Sequence, residues 1–284
     1  MKLLDGKALA EKIKNELREE VAKLNDDGKS VKLAVIQVGL DAASSVYVNN
    51  KIKACEYIGI ENETFLVTEH ITEKELISLI HLLNTDPKIN GILVQLPLPE
   101  HINEAAVIDA IAPEKDVDGF HVNNAGKVMV GDCGGFVPCT ANGIIELLKA
   151  NDVDISGKHC VVVGRSNIVG KPVAMELLRE NGTVTICHSK TRDLKYICRN
   201  ADILICAVGK PLFFNKKHIR PGAVVVDVGI HRDGEGKLCG DVDYDDVCDI
   251  AEAITPVPGG VGPMTVAMLM RNTVEAAKRQ SLEV

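Results

Sequence analysis

Tyr47 and Lys51 form the first pair of residues whose types and spacing could do chemistry. They lie four positions apart in SVYVNNK, within an apolar-periodic stretch, so a helix there would place both side chains on one face. The two could act as a catalytic pair. A helical lysine is more often a solvated surface group, so the hypothesis depends on polar residues elsewhere that would join this pair.

Three further polar residues are placed to join it. Gln95 ends the apolar run GILVQL, at the sheet edge where α/β proteins usually bind ligands. Asp116 and Asp118 precede Gly119 in PEKDVDG, and an aspartate there could accept hydrogen bonds from an amino-pyrimidine edge. The alternative is that both aspartates only form turns.

A glycine-rich turn in the second half of the chain could hold a pyrophosphate. The run VVV leads into GRSNIVGKP at residues 164–172 and then into a predicted helix, whose N-terminus would face the phosphates. The turn departs from the pattern G-x-G-x-x-G because Ser166 replaces the second glycine and Gly170 comes one residue late. A tight turn without a ligand is therefore the alternative.

The next predicted strand indicates which dinucleotide would bind. NAD-binding units usually carry an acidic residue about 20 positions after the glycines, whereas this strand ends in CHSKTR. Arg165, His188, Ser189 and Lys190 instead offer donors suited to a 2′-phosphate. The sequence thus favours NADP over NAD, although His188 or Lys190 taken alone would be assigned to a solvated loop.

A second segment rich in glycine and proline, PGGVGPMT at 258–265, precedes the last predicted helix. Glycine lets the backbone approach a ligand closely, and Pro263 suits the first turn of a helix. This segment could be a lid or a ligand clamp.

Alternating helices and strands must position these residues. The predicted helices lie near residues 7–27, 43–58, 72–84, 141–152, 170–180, 192–199 and 264–279. The predicted strands are VKLAVIQVG, residues 62–67, INGILVQL, KHCVVVG, TVTICHS, ADILICAVG and AVVVDVG. The stretch from Pro97 to Pro138 is expected to be mostly loop around one short helix. This alternation predicts an α/β fold with largely parallel sheets.

Bulk composition excludes several classes of protein. With 284 residues, of which 46% are hydrophobic and 25% charged, the chain can form two globular domains. Only 3% of its residues are aromatic and none is Trp, so we expect a core of Val, Ile, Leu and Ala, which suits parallel strands covered by helices on both faces. The net charge of −8, without a dense Lys/Arg cluster, argues against nucleic-acid binding.

The sequence also carries expectations about compartment and metals. The N-terminus lacks the apolar stretch of a signal peptide, and no segment reaches the roughly 18 apolar residues of a membrane span, so we expect a cytoplasmic protein that does not bind membranes. Its nine cysteines are an odd number, and several lie in apolar runs, so we expect them to be reduced. Without a C-x-x-C pair, no metal site is expected.

Several motifs together resemble a known family. YVNNKIKAC, GILVQLPLP, PEKDVDGFH, PCTANG, VVVGRSNIVGKP, CHSKT and ITPVPGGVGPMTVAML resemble, in order and spacing, the bifunctional methylenetetrahydrofolate dehydrogenase/methenyltetrahydrofolate cyclohydrolase family in its short, two-domain form. The resemblance covers nearly the whole chain. It implies an N-terminal α/β folate-binding catalytic domain at 1–139 and a Rossmann-type NADP-binding domain at 140–263, with a cleft between them. A C-terminal helix at about 264–284 would pack back onto the first domain.

The resemblance also implies roles for individual residues. Lys51 would be the central catalytic residue and Gln95 would tune it, while Tyr47 would stack on or orient the folate and Asp118 would bind the pterin. The implied NADP contacts are Gly164, Arg165, Ser166, His188, Ser189 and Ile230. The implied substrate-binding wall comprises Pro258, Gly259 and Gly260. Ala42 and Ala141 stand where many relatives carry proline, and neither supplies a functional side chain.

The implied activity is oxidation of 5,10-methylenetetrahydrofolate to 5,10-methenyltetrahydrofolate with NADP, followed by hydrolysis to 10-formyltetrahydrofolate, by a homodimer. Two alternatives from other classes stay open at this point. One is a non-catalytic NADP-binding module or redox sensor, against which Tyr47, Lys51, Gln95 and Asp118 argue. The other is an NADP-dependent enzyme with a non-folate substrate, such as an amino-acid dehydrogenase.

Overall fold

The computed structural model describes residues 1–282, apart from the side chains of residues 42–44. The chain divides into two compact units. One, here called the three-stranded unit, comprises Glu11–Cys139 and the chain from Val266 onward. The other, called the six-stranded unit, comprises Met1–Ala10 and Thr140–Thr265.

Helices and strands alternate along both units. The strands are β1 (Lys2–Leu3), β2 (Lys32–Val38), β3 (Glu61–Val67), β4 (Gly91–Val94), β5 (His159–Val163), β6 (Thr183–Cys187), β7 (Ile203–Cys206), β8 (Val224–Asp227), β9 (His231–Arg232), β10 (Leu238–Cys239) and β11 (Ala253–Ile254). The helices are α1 (Gly6–Asp26), α2 (Ala42–Ile58), α3 (Glu73–Thr85), α4 (Glu104–Asp109), α5 (Val122–Val130), α6 (Cys139–Ala150), α7 (Gly170–Arg179), α8 (Leu194–Cys198), α9 (Tyr244–Val247) and α10 (Val261–Gln280).

The three-stranded unit is built on a parallel sheet in the order β3-β2-β4. Ala34 and Ile36 of the central strand pack with Leu76 and Ile80 of α3 in one buried apolar cluster. The start of α3 is fixed by a capping box, in which the Thr72 side chain and the residue three positions later each bond the other's backbone N–H. This packing fixes the carboxyl ends of β2 and β4, where the candidate site lies.

The six-stranded unit is a parallel sheet in the order β1-β11-β8-β7-β5-β6. The central strands β5, β7 and β8 are short, mostly apolar and buried apart from His159 at the start of β5, as the sequence predicts for strands covered on both faces. The sheet order reverses between β5 and β7, because β6 follows β5 on one side and β8 follows β7 on the other. In such a sheet, ligands bind at the carboxyl ends of the strands beside this reversal.

The predicted α/β class and parallel sheets are confirmed, and all nine cysteines are free thiols. The prediction of one short helix between residues 97 and 138 is wrong, because both α4 and α5 lie there. Glycine and asparagine in VNNAG disfavour a helix locally, but His121 caps α5, and burial of Asn124 and Val128 stabilises it. Over residues 1–282, no helix is long and apolar enough to cross a bilayer.

Other details differ from the sequence analysis. The family resemblance implies one domain for residues 1–139, whereas Met1–Ala10 groups with the six-stranded unit, in which β1 pairs with β11. Strand β4 ends at Val94, so Gln95 follows the strand rather than ending it. Residues 283–284, the end of the predicted C-terminal helix, and the Ala42 side chain lie outside the described residues, whereas Ala141 is buried in α6.

Candidate active site

Lys51 is the centre of the candidate site in the three-stranded unit. It lies on α2 with only 9% of its surface exposed, and its Nζ donates a hydrogen bond of 3.0 Å to Oε1 of Gln95. Gln95 is held in turn, because its backbone N–H donates to Ile36 O at 2.9 Å and its Nε2 to Leu96 O at 2.6 Å. An ammonium group has three donors, so Lys51 can serve further acceptors while Gln95 fixes its orientation.

Asp118 lies close enough to Lys51 for their charges to interact. Burial raises the pKa of the Asp118 carboxyl, while the positive charge of Lys51 and a hydrogen bond with the Cys139 thiol act in the opposite direction. The net effect is a raised pKa. The structure therefore brings together three of the four predicted catalytic residues, Lys51, Gln95 and Asp118, as one polar cluster.

Asp116, the other aspartate of PEKDVDG, is engaged in building the loop. It is 1% exposed, and its Oδ2 accepts hydrogen bonds from His121 N–H and Asn124 Nδ2, both at 2.8 Å. Gly119 has φ +76°, and a side chain there would overlap the backbone of residues 136–138. Turn formation thus accounts for Asp116, whereas Asp118 is the aspartate beside the lysine.

Two residues that the sequence analysis did not single out anchor this loop. Lys115 is buried, and its Nζ donates to the carbonyl oxygens of Leu83 and Asn84 in the last turn of α3 and of Asp86 just beyond it, at 2.7 to 3.2 Å. Asn272 donates to Val117 O at 2.9 Å from α10. A lysine within a turn-rich motif gives some signal, but nothing in the sequence connects Asn272 with residue 117.

Tyr47 occupies α2 one turn before Lys51. Its side chain is 38% exposed, and partial burial raises the pKa of its phenol. Because residues four apart share a helix face, the exposed ring lies on the side of α2 that carries Lys51. The geometry allows Tyr47 to contact a ligand held by the polar cluster.

The turn after β5 explains the departures from the dinucleotide pattern. Gly164 has φ +146°, and a Cβ there would overlap Ala207 O, while a Cβ at Gly170 would overlap Gly164 O. The Ser166 hydroxyl accepts hydrogen bonds from the N–H groups of Val169 at 3.2 Å and Gly170 at 3.3 Å. Ser166 therefore bonds two backbone N–H groups where α7 begins, and the late glycine at position 170 allows the backbone to approach Gly164 O closely.

Arg165 and Ser189 lie at the same edge of the six-stranded sheet. The paired residues Val163 and Cys187 end the adjacent strands β5 and β6, so residues 165 and 189 each follow two positions later. Both side chains are exposed. His188 instead shapes its own turn, since its Nδ1 accepts from Lys190 N–H at 3.1 Å. Arg165, Ser189 and Lys190 thus present exposed side-chain donors to a 2′-phosphate.

The other predicted ligand contacts lie elsewhere in the six-stranded unit. Ile230 follows β8 and is 42% exposed. Gly259 has φ +109°, and its carbonyl oxygen accepts from Lys7 N–H at 2.8 Å, while Gly6 packs against Gly260. The glycines near Pro258 therefore permit close packing on the start of α1, which leaves their role in ligand binding a prediction.

The sequence analysis missed a buried carboxylate at the end of β8. Asp227 is 3% exposed, and its carboxylate accepts N–H donors from Gly229, Asp241 and Val242, each at 2.9 Å. Burial raises the pKa of Asp227 to about 6. An aspartate ending the apolar run VVV was the available signal, because charged residues seldom lie at the end of a buried strand without a role.

The fold and the two polar regions define a class of protein, an α/β enzyme in which one unit can bind a dinucleotide and the other carries a lysine-centred site. Comparison with known proteins defines it further. Residues 4–118 match the tetrahydrofolate dehydrogenase/cyclohydrolase catalytic domain, and residues 138–281 match the NAD(P)-binding domain of the same family. The chain belongs to the tetrahydrofolate dehydrogenase/cyclohydrolase family.

Individual relatives are similar over their full length. The bifunctional protein FolD of Agathobacter rectalis is 61% identical, over 98% of this chain and 99% of the relative. The crystal structure of FolD from Campylobacter jejuni is 49% identical with a TM-score of 0.97, over 98% and 99% of the two chains. The Trypanosoma brucei FolD, solved in complex with NADP and an inhibitor, is 40% identical with a TM-score of 0.93, over 99% and 98%.

Proposed function

We propose that this chain oxidises 5,10-methylenetetrahydrofolate to 5,10-methenyltetrahydrofolate with NADP and then hydrolyses the product to 10-formyltetrahydrofolate. The observation that carries the proposal is the hydrogen bond from buried Lys51 to Gln95, with Asp118 within electrostatic reach. The chain's family is named for both activities, and its full-length relatives are bifunctional proteins. The protein would thus combine two activities of one-carbon metabolism. It is an NADP-dependent dehydrogenase, which is an oxidoreductase activity, and a cyclohydrolase, which is a hydrolase activity.

The six-stranded unit fits NADP. The turn after β5 has no side chain at Gly164 or Gly170, and the exposed donors of Arg165 and Ser189 lie at the ends of adjacent strands. Gly164, Ser166, His188 and Ile230 complete the proposed set of cofactor contacts. When bound, NADP accepts the hydride that leaves the methylene carbon between N5 and N10 of the folate. The protein contributes position and electrostatics to that step.

The three-stranded unit supplies the proton chemistry of hydrolysis. Water adds to the cationic methenyl carbon and gives a tetrahedral adduct. This adduct must exchange protons before its carbon–N5 bond breaks and the formyl group remains on N10. Lys51 is the proposed proton-transfer residue, and Gln95 orients its Nζ. Asp118 binds the pterin edge, and Tyr47 stacks on or orients the folate. The Pro258–Gly260 segment is proposed to contact the substrate, because backbone without side chains can approach a ligand closely.

Four finer properties complete the proposal: the domain assignment, the compartment, the oligomeric state and the use of the product. We assign folate binding to residues 1–139 other than Met1–Ala10, which groups with the six-stranded unit, and NADP binding to residues 140–263. The C-terminal helix is proposed to pack on the folate-binding residues. The enzyme is a cytoplasmic homodimer, and its 10-formyltetrahydrofolate supplies formyl groups for purine biosynthesis. The support for these statements is the family resemblance. Analytical ultracentrifugation at micromolar concentration tests the dimer, and a monomer would refute it.

A two-stage assay tests the activity. Purified protein receives 5,10-methylenetetrahydrofolate and NADP, and nicotinamide reduction is followed by absorbance while chromatography follows 10-formyltetrahydrofolate. Both signals should rise together, and both should require folate. Binding of NADP without any reduction would favour a binding module. Reduction without formation of the formyl product would leave only the dehydrogenase.

A further inference from the structure

Asp241 is a fully buried carboxylate on which a whole loop converges. It is 0% exposed, and its Oδ2 accepts hydrogen bonds from Val208 N–H at 2.6 Å and Gly209 N–H at 3.0 Å. Its Oδ1 accepts from Lys210 N–H at 2.9 Å. Three successive backbone donors after β7 are thus satisfied by one side chain. Hydrogen bonds to a charged acceptor are stronger than those between neutral groups, so Asp241 fixes the conformation of this loop.

The same carboxylate also holds the antiparallel pair β9–β10, which follows β8. Nε2 of His231, on β9, lies 2.8 Å from Oδ1 of Asp241. Gly229 approaches so closely that a Cβ there would overlap Asp241. Ile230, a proposed NADP contact, lies between these two residues and is 42% exposed. Asp241 therefore sets the position of the backbone on both sides of Ile230.

Asp241 is itself fixed to the sheet. Its backbone N–H donates to Oδ1 of Asp227 at 2.9 Å, and Val242 N–H donates to Oδ2 at 2.9 Å. Gly240 has no side chain where a Cβ would overlap the Asp227 carboxylate. The segment that carries Asp241 is thus bound to the end of β8, and its side chain connects that strand with the loops on either side.

These loops lie on one side of the reversal in the sheet. Arg165 and Ser189, the proposed 2′-phosphate contacts, follow β5 and β6, so the adenosine half of NADP belongs on that side. The loops held by Asp241 follow β7 and β8 on the other side. A dinucleotide spans the reversal along the carboxyl edge of the strands. Its nicotinamide half therefore extends toward the loops that Asp241 fixes.

We propose that Asp241, with His231, is a positioning residue for the nicotinamide half of NADP. The inference rests on the proposed NADP site. Because Asp241 is buried and its two oxygens accept four donors, it acts through the loops and does not touch the cofactor. Its loss should weaken the binding of the whole dinucleotide and leave the binding of the adenosine half unchanged.

The principal test compares NADP with adenosine 2′,5′-bisphosphate, which carries only the adenosine half and its 2′-phosphate. Asp241→Asn keeps the shape of the side chain but turns one acceptor into a donor that faces N–H groups. We expect the KM for NADP to rise at least about tenfold, while inhibition by the bisphosphate and the cyclohydrolase rate on methenyltetrahydrofolate stay within about twofold. Equal weakening of both nucleotides, or an unchanged KM, would overturn the inference.

Milder variants decide the matter if Asp241→Asn also loses cyclohydrolase activity. His231→Ala deletes one donor to Asp241, and His231→Gln returns an amide N–H near the position of Nε2. The KM for NADP should rise about threefold or more in the alanine variant and return toward that of the original protein in the glutamine variant. An unchanged KM in His231→Ala would refute the proposed role.

Asp243→Ala is the matched control. Asp243 lies two residues from Asp241, and its carboxylate accepts Asp246 N–H at 3.4 Å as the cap of α9. We expect this variant to melt at a lower temperature with the KM for NADP unchanged. A rise equal to that in Asp241→Asn would show general destabilisation and contradict the inference. Absence of NADP-linked folate oxidation in the unmodified protein would instead refute the proposed function.

Discussion

The two candidate ligand sites of the molecule differ in how their side chains are held. In the three-stranded unit, Lys51 is buried and its Nζ bonds Gln95, which is itself fixed to the backbone. In the six-stranded unit, the side chains of Arg165 and Ser189 are exposed. Proton transfer requires a donor and acceptor that are aligned before the reaction. Recognition of a phosphate requires charge and reach, which exposed flexible side chains provide.

The difference extends to electrostatics. A buried ammonium without partners is costly, because its charge is removed from water. Gln95 and Asp118 offset that cost for Lys51. Asp118 is itself costly to ionise, because burial raises the pKa of its carboxyl. Substitutions in this coupled cluster should therefore have larger effects than substitutions of the proposed cofactor contacts, which are exposed.

The largest effect is expected for Lys51→Met. Only hydrolysis requires proton transfer to and from a tetrahedral adduct, and general acid-base groups typically contribute 10² to 10⁴ in rate. The cyclohydrolase rate should therefore fall at least about a hundredfold, while the dehydrogenase loses only the contribution of lysine to positioning. Disappearance of the methenyl chromophore, corrected for spontaneous hydrolysis, measures the second step alone.

Lys53→Met provides the control, because Lys53 is an exposed lysine on the same helix. Its effect on either rate should be less than about twofold. If the corrected hydrolysis rate of Lys51→Met stays within threefold of the original while circular dichroism shows an intact fold, Lys51 is not the proton-transfer residue.

The next largest effect is expected for Asp118→Ala. A charge-assisted hydrogen bond typically contributes about 1.5 to 3 kcal/mol, so folate binding should weaken at least about tenfold. NADP binding should stay unchanged, because the proposed NADP contacts lie in the other unit. Titration calorimetry with each ligand measures both quantities. Normal folate affinity would reduce Asp118 to a turn residue, the role that the structure gives Asp116.

Much of the lysine-centred cluster could be predicted from the sequence. Helical spacing placed Tyr47 and Lys51 on one face, and the end of an apolar run placed Gln95 at the sheet edge. The different roles of Asp116 and Asp118 could not be predicted, because they depend on which carboxylate meets the N–H of His121 and the side chain of Asn124. That information lies in tertiary contacts rather than in residue type.

The six-stranded unit shows the same limit. Strands β5 to β8 follow from apolar runs, whereas β1 and β11 have only two residues each. They form because β1 pairs with β11 and β11 pairs with β8. Asp241 was missed for a related reason. Its donors are Val208, Gly209 and Lys210, about thirty residues earlier in the chain, and no periodicity connects such distant positions.

A smaller effect is expected for Arg165→Ala. In the unmodified protein, kcat/KM should favour NADP over NAD at least about tenfold, because Arg165 offers a bidentate cation to the 2′-phosphate. The substitution should remove most of that preference by weakening NADP and sparing NAD. Lys171→Ala is the control, since the Nζ of Lys171 in the same turn already bonds Asn167 at 2.7 Å. Equal use of both cofactors by the unmodified protein would contradict the assignment of Arg165.

The smallest effect on activity is expected for Thr72→Ala, which tests whether a hydrogen-bonded cluster can serve the fold alone. Thr72 and Glu75 form the capping box of α3, a helix that carries none of the proposed site residues. Loss of the cap should cost about 1 kcal/mol and lower Tm by a few degrees, with both enzymatic rates unchanged. The side chain and backbone N–H of Thr72 lower the pKa of Glu75 below its ordinary 4.5.

The hydrogen bonds from Thr72 to the Glu75 carboxylate stabilise the fold fully above the ordinary pKa of Glu75. Their contribution is lost as the pH falls through the lowered pKa, where the carboxylate of the folded protein takes up a proton. The difference in Tm between the original protein and Thr72→Ala should therefore be constant from pH 8 to about pH 5 and should shrink in more acidic solution. Scanning calorimetry across that range measures it. A change in either rate at neutral pH would show that α3 helps to position the site, and the comparison between the two units would then have to include the packing beneath the lysine as well as its hydrogen bonds.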